Sequence, residues 1–145
     1  MDAVDDLAAR FVACTLSHAV WTHAAHLTVG TWHVRRFGPI EALNRLRVGI
    51  RRLNDSHGTL NTPDSGYHET ITAAYVHLLA EFVSRFSDDV PIGDVVGQLL
   101  AGPLADRDAL LAFFSRGVLF SPQARAAWIQ PDLVPLSLAR LIPNA

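Results

Sequence analysis

From Phe11 to Val34 the chain carries no Asp, Glu, Lys or Arg. A stretch of this length without formal charge belongs in a protein core or in a bilayer. Its polar residues decide between the two. His18, His23, His26 and His33, with Thr15, Ser17, Thr22, Thr28 and Thr31, would all need partners in hydrocarbon, so the stretch makes a poor membrane span. Thr22 also reads as a helix N-cap that divides it. The expectation is a buried helix of a globular protein and no membrane partner. Half of the residues are apolar and 18% are charged, which favours a packed core over disorder.

Taken in order, Val4, Leu7, Phe11 and Cys14 recur at helical spacing and predict a first helix over 3–15. Cys14 is the single cysteine; it reads as an inert core thiol, and no internal disulfide is possible. A second helix starts at the Thr22 cap and stops at Gly38-Pro39. Pro39 opens a third helix to about Asn54, with Leu43, Leu46, Ile50 and Leu53 inward. Arg47 borders that stripe, either snorkelling outward or reaching inward. A turn-rich loop over 55–66 leads into Tyr67-His68-Glu69-Thr70 and a fourth helix to about Phe86. That helix is apolar nearly all round from Thr70 to Ala80, as a central helix should be. Shorter helices are expected after Pro91, over 106–114 and from Ser121-Pro122 to Ile129, before an irregular tail. The fold class is all-α: one domain over 1–145, a compact helical bundle of five to seven helices.

Polar chemistry collects in two places, Trp21-Thr22-His23-Ala24-Ala25-His26-Leu27 and Gly66-Tyr67-His68-Glu69-Thr70. His23 and His26 are three apart and converge on one ligand if helical; His33 returns to the same face, with Gly30 leaving space between. His68 falls in line with Ile71 and Tyr75. Three imidazoles and one carboxylate suit a divalent Zn, Fe, Cu or Ni ion. The expected ligands are His23, His26 and His68, with Glu69 as a fourth ligand or general base. Arg47 and Tyr67 would orient an anionic or carbonyl group. The plainer alternative has His23 bonded to a loop, His26 and His68 satisfied in the core, and Glu69 stabilising a helix start. His18 and His57 are expected in solvated connectors, and His77 in an environment of its own. Too few Glu residues are present for a dinuclear carboxylate bundle, and there is no nucleophile elbow or phosphate loop.

These residues carry a resemblance. Trp21 to Leu27, Arg45 to Gly58, Pro63 to Thr70 and Leu119 to Leu133 resemble the motifs of a family of small, mostly uncharacterised bacterial all-helical proteins. That family has a Trp/Phe-Thr-His-x-Ala-His-Leu segment and a Gly-Tyr-His-Glu-Thr segment. Ser17 departs from it, standing where a proline is expected. The resemblance extends to Arg47, Asn54, Tyr67 and Arg125. It supports a site and implies no particular activity.

The leading expectation is therefore a small cytoplasmic metal-dependent enzyme acting on a small molecule between the second and fourth helices. Hydrolysis, isomerisation and oxygen chemistry all stay open. The alternative is a metal-free small-molecule-binding protein with a His/Glu acid–base cluster, and a third reading is an interaction domain. A net charge of −2 gives no reason to expect a nucleic-acid partner. The acidic N-terminus, Met1-Asp2-Ala3-Val4-Asp5-Asp6, predicts no secretory leader. Oligomeric state is open, a homodimer included.

Overall fold

The computed structural model describes residues 2–142. The chain is all-α and forms one compact domain, as the periodicity predicts. Its helices are α1 (Ala3–Val12), α2 (His23–Ser56), α3 (Glu69–Val83), α4 (Ile92–Leu100), α5 (Arg116–Leu119) and α6 (Pro122–Ala126). Short 3₁₀ turns at Pro103–Ala105, Ala109–Ala112 and Leu138–Arg140 complete it. No helix is long and apolar enough to cross a membrane among the described residues.

Local chemistry sets most of the boundaries. Asp2 caps α1 by accepting from the Val4 N–H at 2.7 Å. That helix ends at Val12, earlier than the periodicity suggests, because Cys14 turns into the left-handed region at φ 59°. The cysteine is partly buried against the core from this turn and not from a helical stripe. Thr22 caps α2 as expected, accepting from Ala25 N–H at 3.2 Å. Gly38 breaks α2 at φ 78°, ψ 166°, so 23–37 and 39–56 are two limbs with Pro39 opening the second. The short helix expected after Pro91 forms over Ile92–Leu100, the one from Ser121 stops at Ala126 instead of Ile129, and 106–114 yields only the Ala109–Ala112 turn.

The core lies where α3 packs along both limbs of α2. Leu27, Val29, Leu46 and Leu53 from α2 meet Ala74, Leu78, Leu79 and Phe82 from α3. Gly30 lets the two helices approach closely: a Cβ there would stand 2.9 Å from Leu79 Cδ1. The α1 helix is fixed across α2 by Phe11, which fills the space a side chain at Gly49 would take, 2.5 Å from its Cζ. A hydrogen bond from Trp32 Nε1 to Asp5 Oδ1 at 3.0 Å adds a polar tie.

Two glycines offer a paired test of this backbone. A Gly38→Ala chain has no steric contact to suffer, since nothing lies within 4 Å. Its backbone is nevertheless in a region essentially reserved for glycine, so it should lose about 1–3 kcal/mol. Gly97→Ala is on an exposed, unobstructed turn of α4 and should gain about 0.5–1 kcal/mol. Urea unfolding of both variants reads the two opposite signs.

Candidate functional site

The predicted residues fall into three places, and the structure does not bring them all together. The first is the His23/His26 end. Both sit in the first turn of α2 and line a cavity of about 90 Å³ between α2 and α3. Its inner wall is apolar, made by Leu27, Gly30, Leu46, Ile50, Val76 and Leu79. Trp21, His23, His26, Ile71 and Tyr75 also border a broader outer cleft of about 700 Å³, which Arg107 joins from outside.

At this neck His26 stacks on Trp21, ring centroids 3.8 Å apart, while Phe11 covers Trp21 from another side at 5.2 Å. Crowding by protein, then the neighbouring His23, push the His26 pKa down, so the ring is neutral near pH 7. Solvent still reaches a good part of His26 from the cleft, which limits that depression. His23 Nε2–H donates to Leu104 O at 3.2 Å and its ring stands edge-on to Tyr75 at 5.6 Å.

Sequence reasoning used Tyr75 only to orient the α3 face and missed it as a site residue. Its hydroxyl is buried and has no hydrogen-bond partner. Burial raises its pKa to about 12, with Asp106 and Asp108 adding to the rise. The phenol is therefore a protonated donor with nothing to donate to. Helical spacing alone could have flagged Tyr75, which lies one turn from Ile71, but not its lack of a partner.

The second place is the Arg47, Tyr67 and Glu69 cluster, which the structure does bring together. Arg47 reaches inward. Its Nε and Nη2 donate to Glu69 Oε1 and Oε2 at 2.9 and 2.7 Å, a bidentate pair. Tyr67 O–H donates to Oε1 at 2.7 Å, and Arg47 Nη1 donates to Asn44 Oδ1 at 3.0 Å. Hydrogen bonds from Arg47, more than any other cause, hold the Glu69 carboxyl below the usual carboxylate range. Burial pushes the Tyr67 phenol up. None of the three lines the cavity between His26 and Tyr75.

The third place belongs to His68 alone. It is the N-cap of α3, and Nδ1 accepts from the Ile71 N–H at 3.1 Å. Its Nε2–H donates to Leu119 O at 2.7 Å. Both nitrogens are thus used, which fixes the neutral tautomer, and burial lowers its pKa further. An imidazole with no free nitrogen does not fit a metal ligand. Glu69, occupied at both oxygens by Arg47 and Tyr67, does not fit one either. The set His23, His26, His68 and Glu69 therefore does not assemble a metal centre in this geometry. Among the described residues no group of three or more His, Cys, Asp or Glu could hold an ion.

Of the other histidines, His33 and His57 differ from the expectation, whereas His18 and His77 agree with it. His33 leaves the His26 face: it is buried, donates from Nδ1–H to Val29 O at 2.7 Å and meets the edge of Phe11. His57 was expected in solvent, yet it donates from Nε2–H to Leu16 O at 2.7 Å and closes α2. His18 is exposed and edge-on to His57 at 5.4 Å. His77 pairs with Glu81 at 2.9 Å on the far side of α3. No protein-family model, curated protein or solved structure matches the chain, so the family resemblance rests on the motif residues alone.

The Arg47–Glu69 pair has a defined pH signature. Glu69 binds its proton less tightly in the folded chain than at its ordinary 4.5. The pair's contribution is complete above that value and vanishes as pH falls through the depressed folded one. Replacing Glu69 with Gln should cost about 1–3 kcal/mol near neutral pH. The gap in melting temperature from the parent should narrow between about pH 6 and about pH 3. A gap that stays constant over that range would show that the charge of Glu69 adds nothing.

Proposed function

We propose that this chain is a metal-free protein that binds a small molecule between α2 and α3, with His23, His26 and Tyr75 as the polar neck of the site. The observation that carries it is the Tyr75 hydroxyl, buried beside an apolar cavity without a partner. A buried donor left unpaired costs about 1–3 kcal/mol. A fold keeps such a group where something else completes it. The partner must supply a hydrogen-bond acceptor, because the phenol stays protonated.

Size and polarity narrow the ligand. A cavity of about 150 Å³ takes benzene, so 90 Å³ takes roughly four non-hydrogen atoms, an isobutyl-sized end. The rest of the molecule would lie in the outer cleft. Neutral His26 adds one acceptor or donor according to its tautomer. Asp106 and Asp108 lie close enough to act on Tyr75, and Arg107 lines the cleft. With charges of both signs at the mouth, an uncharged carbonyl compound is the ligand class that meets the least opposition. The acid–base capacity of the neck consists of these imidazoles and the phenol; Glu69 serves its own cluster.

Methyl isobutyl ketone and isobutyramide are suitable probes for NMR titration of the full chain. They should shift the Trp21, His26 and Tyr75 signals saturably. The Tyr75→Phe variant should weaken binding roughly tenfold while being as stable as the parent or about 1 kcal/mol more so, since it loses an unpaired buried hydroxyl. Equal binding by Tyr75→Phe would sink the proposal. So would about one metal ion per chain in the purified protein that disappears in His23→Ala.

A further inference from the structure

A second cleft, of about 500 Å³, lies on the other side of Tyr67, between the second limb of α2, the 57–66 loop and α6. Arg51 and Arg125 both line it, and no Asp or Glu does. Neither arginine forms a salt bridge with a carboxylate among the described residues, whereas Arg10, Arg45 and Arg47 each do. Glu69, the acid nearest in sequence to Tyr67, is already matched by Arg47. No carboxylate contacts either guanidinium, although the charge of Arg51 acts on Glu69 and Asp55 bonds to Asn61 at the rim.

Both guanidiniums are also held in place. Arg51 lies over the Tyr67 ring, 4.7 Å from its centroid. Arg125 Nη1 donates to Gly66 O at 2.8 Å. That carbonyl is presented by a turn only glycine can make: Gly66 has φ 80°, and a Cβ there would strike Leu60 O at 2.5 Å. Asn61 closes the turn by accepting from Tyr67 N–H at 2.9 Å. Arg125 spends one of its five N–H groups on this contact and keeps the others. Two pre-positioned planar forks on one cleft match the geometry of an oxyanion. Pro63 and Pro122 give the cleft apolar walls beside them.

We propose that this cleft is a binding site for a small organic oxyanion, a carboxylate or phosphate ester, clamped between Arg51 and Arg125. It is separate from the Tyr75 cavity and stands whether or not that cavity binds a ligand. Calorimetric titration of the full chain with benzoate, phenyl phosphate and inorganic phosphate tests it and tells the two oxyanion sources apart. One-site binding of benzoate or phenyl phosphate is expected. It should weaken by about tenfold or more in Arg51→Gln and in Arg125→Lys, which keeps the charge and loses the fork. Arg52→Gln removes the adjacent charge, which lines a different cleft with Phe11, and should stay within about twofold of the parent. Tyr75→Phe should leave the titration unchanged. No binding by either organic anion would overturn the site. So would parent-like affinity in Arg51→Gln or Arg125→Lys, or an equal loss in Arg52→Gln, the mark of diffuse charge attraction.

Discussion

The fold depends on satisfying the polar groups of Gly66–Thr70, where the chain enters α3 inside the protein. Each residue of this segment takes a partner from elsewhere, and almost every partner is in a different segment. Gly66 O accepts from Arg125 on α6, His68 donates to Leu119 at the end of α5, and Glu69 takes Arg47 from α2. Thr70 Oγ1 donates to Ala127 O at 2.9 Å and accepts from Ile129 N–H at 3.1 Å, which pins the start of the tail. Tyr67 O–H donates back to Glu69. Buried polar groups left unpaired are costly. Thus this one segment dictates where α2, α5, α6 and the tail must lie. The hydrophobic contact of α2 with α3 supplies the bulk of the burial but is non-directional; the segment supplies the register.

That role explains what was legible in the sequence. Thr22, Gly38-Pro39 and the apolar face of α3 act through their own neighbours in the chain, so a local reading finds them. The concentration of polar residues at 66–70 was equally visible. Its meaning was not, because a histidine that caps a helix and one that binds a metal look alike until the group opposite is known. Leu119 O lies 51 residues away from His68, and no spacing rule reaches that far. The plainer alternative, with His68 satisfied in the core, describes that residue correctly, while His23 finds its carbonyl at Leu104 in the Pro103–Ala105 turn. The same blindness hid Tyr75, whose importance is an absence of partners.

Against so thorough a pairing, the exceptions are informative. Among the described residues, three buried side-chain polar atoms lack partners: Arg35 Nη1, His57 Nδ1 and Tyr75 Oη. Arg35 still gives its other amine to Asp88 O, and His57 gives Nε2–H to Leu16 O. Each of those side chains keeps one anchor and leaves one atom over. Tyr75 has no anchor at all, and it borders the cavity between α2 and α3. A side chain with a single polar atom, buried without a partner at a void, is poorly explained by packing.

The junction also divides the electrostatics of the molecule. Arg47 cancels Glu69 at its centre, so the two clefts on either side are set by what remains. Around Tyr75, Asp106 and Asp108 offset Arg107 and the imidazoles are neutral or bonded to carbonyl oxygen. Around Tyr67, no carboxylate lines the cleft that Arg51 and Arg125 share. Without the inward turn of Arg47, Glu69 would face Arg51, whose charge already acts on it. One partly buried ion pair therefore does two jobs. It locks α2 to α3, and by occupying the only carboxylate at the junction it leaves a cationic cleft beside a neutral one.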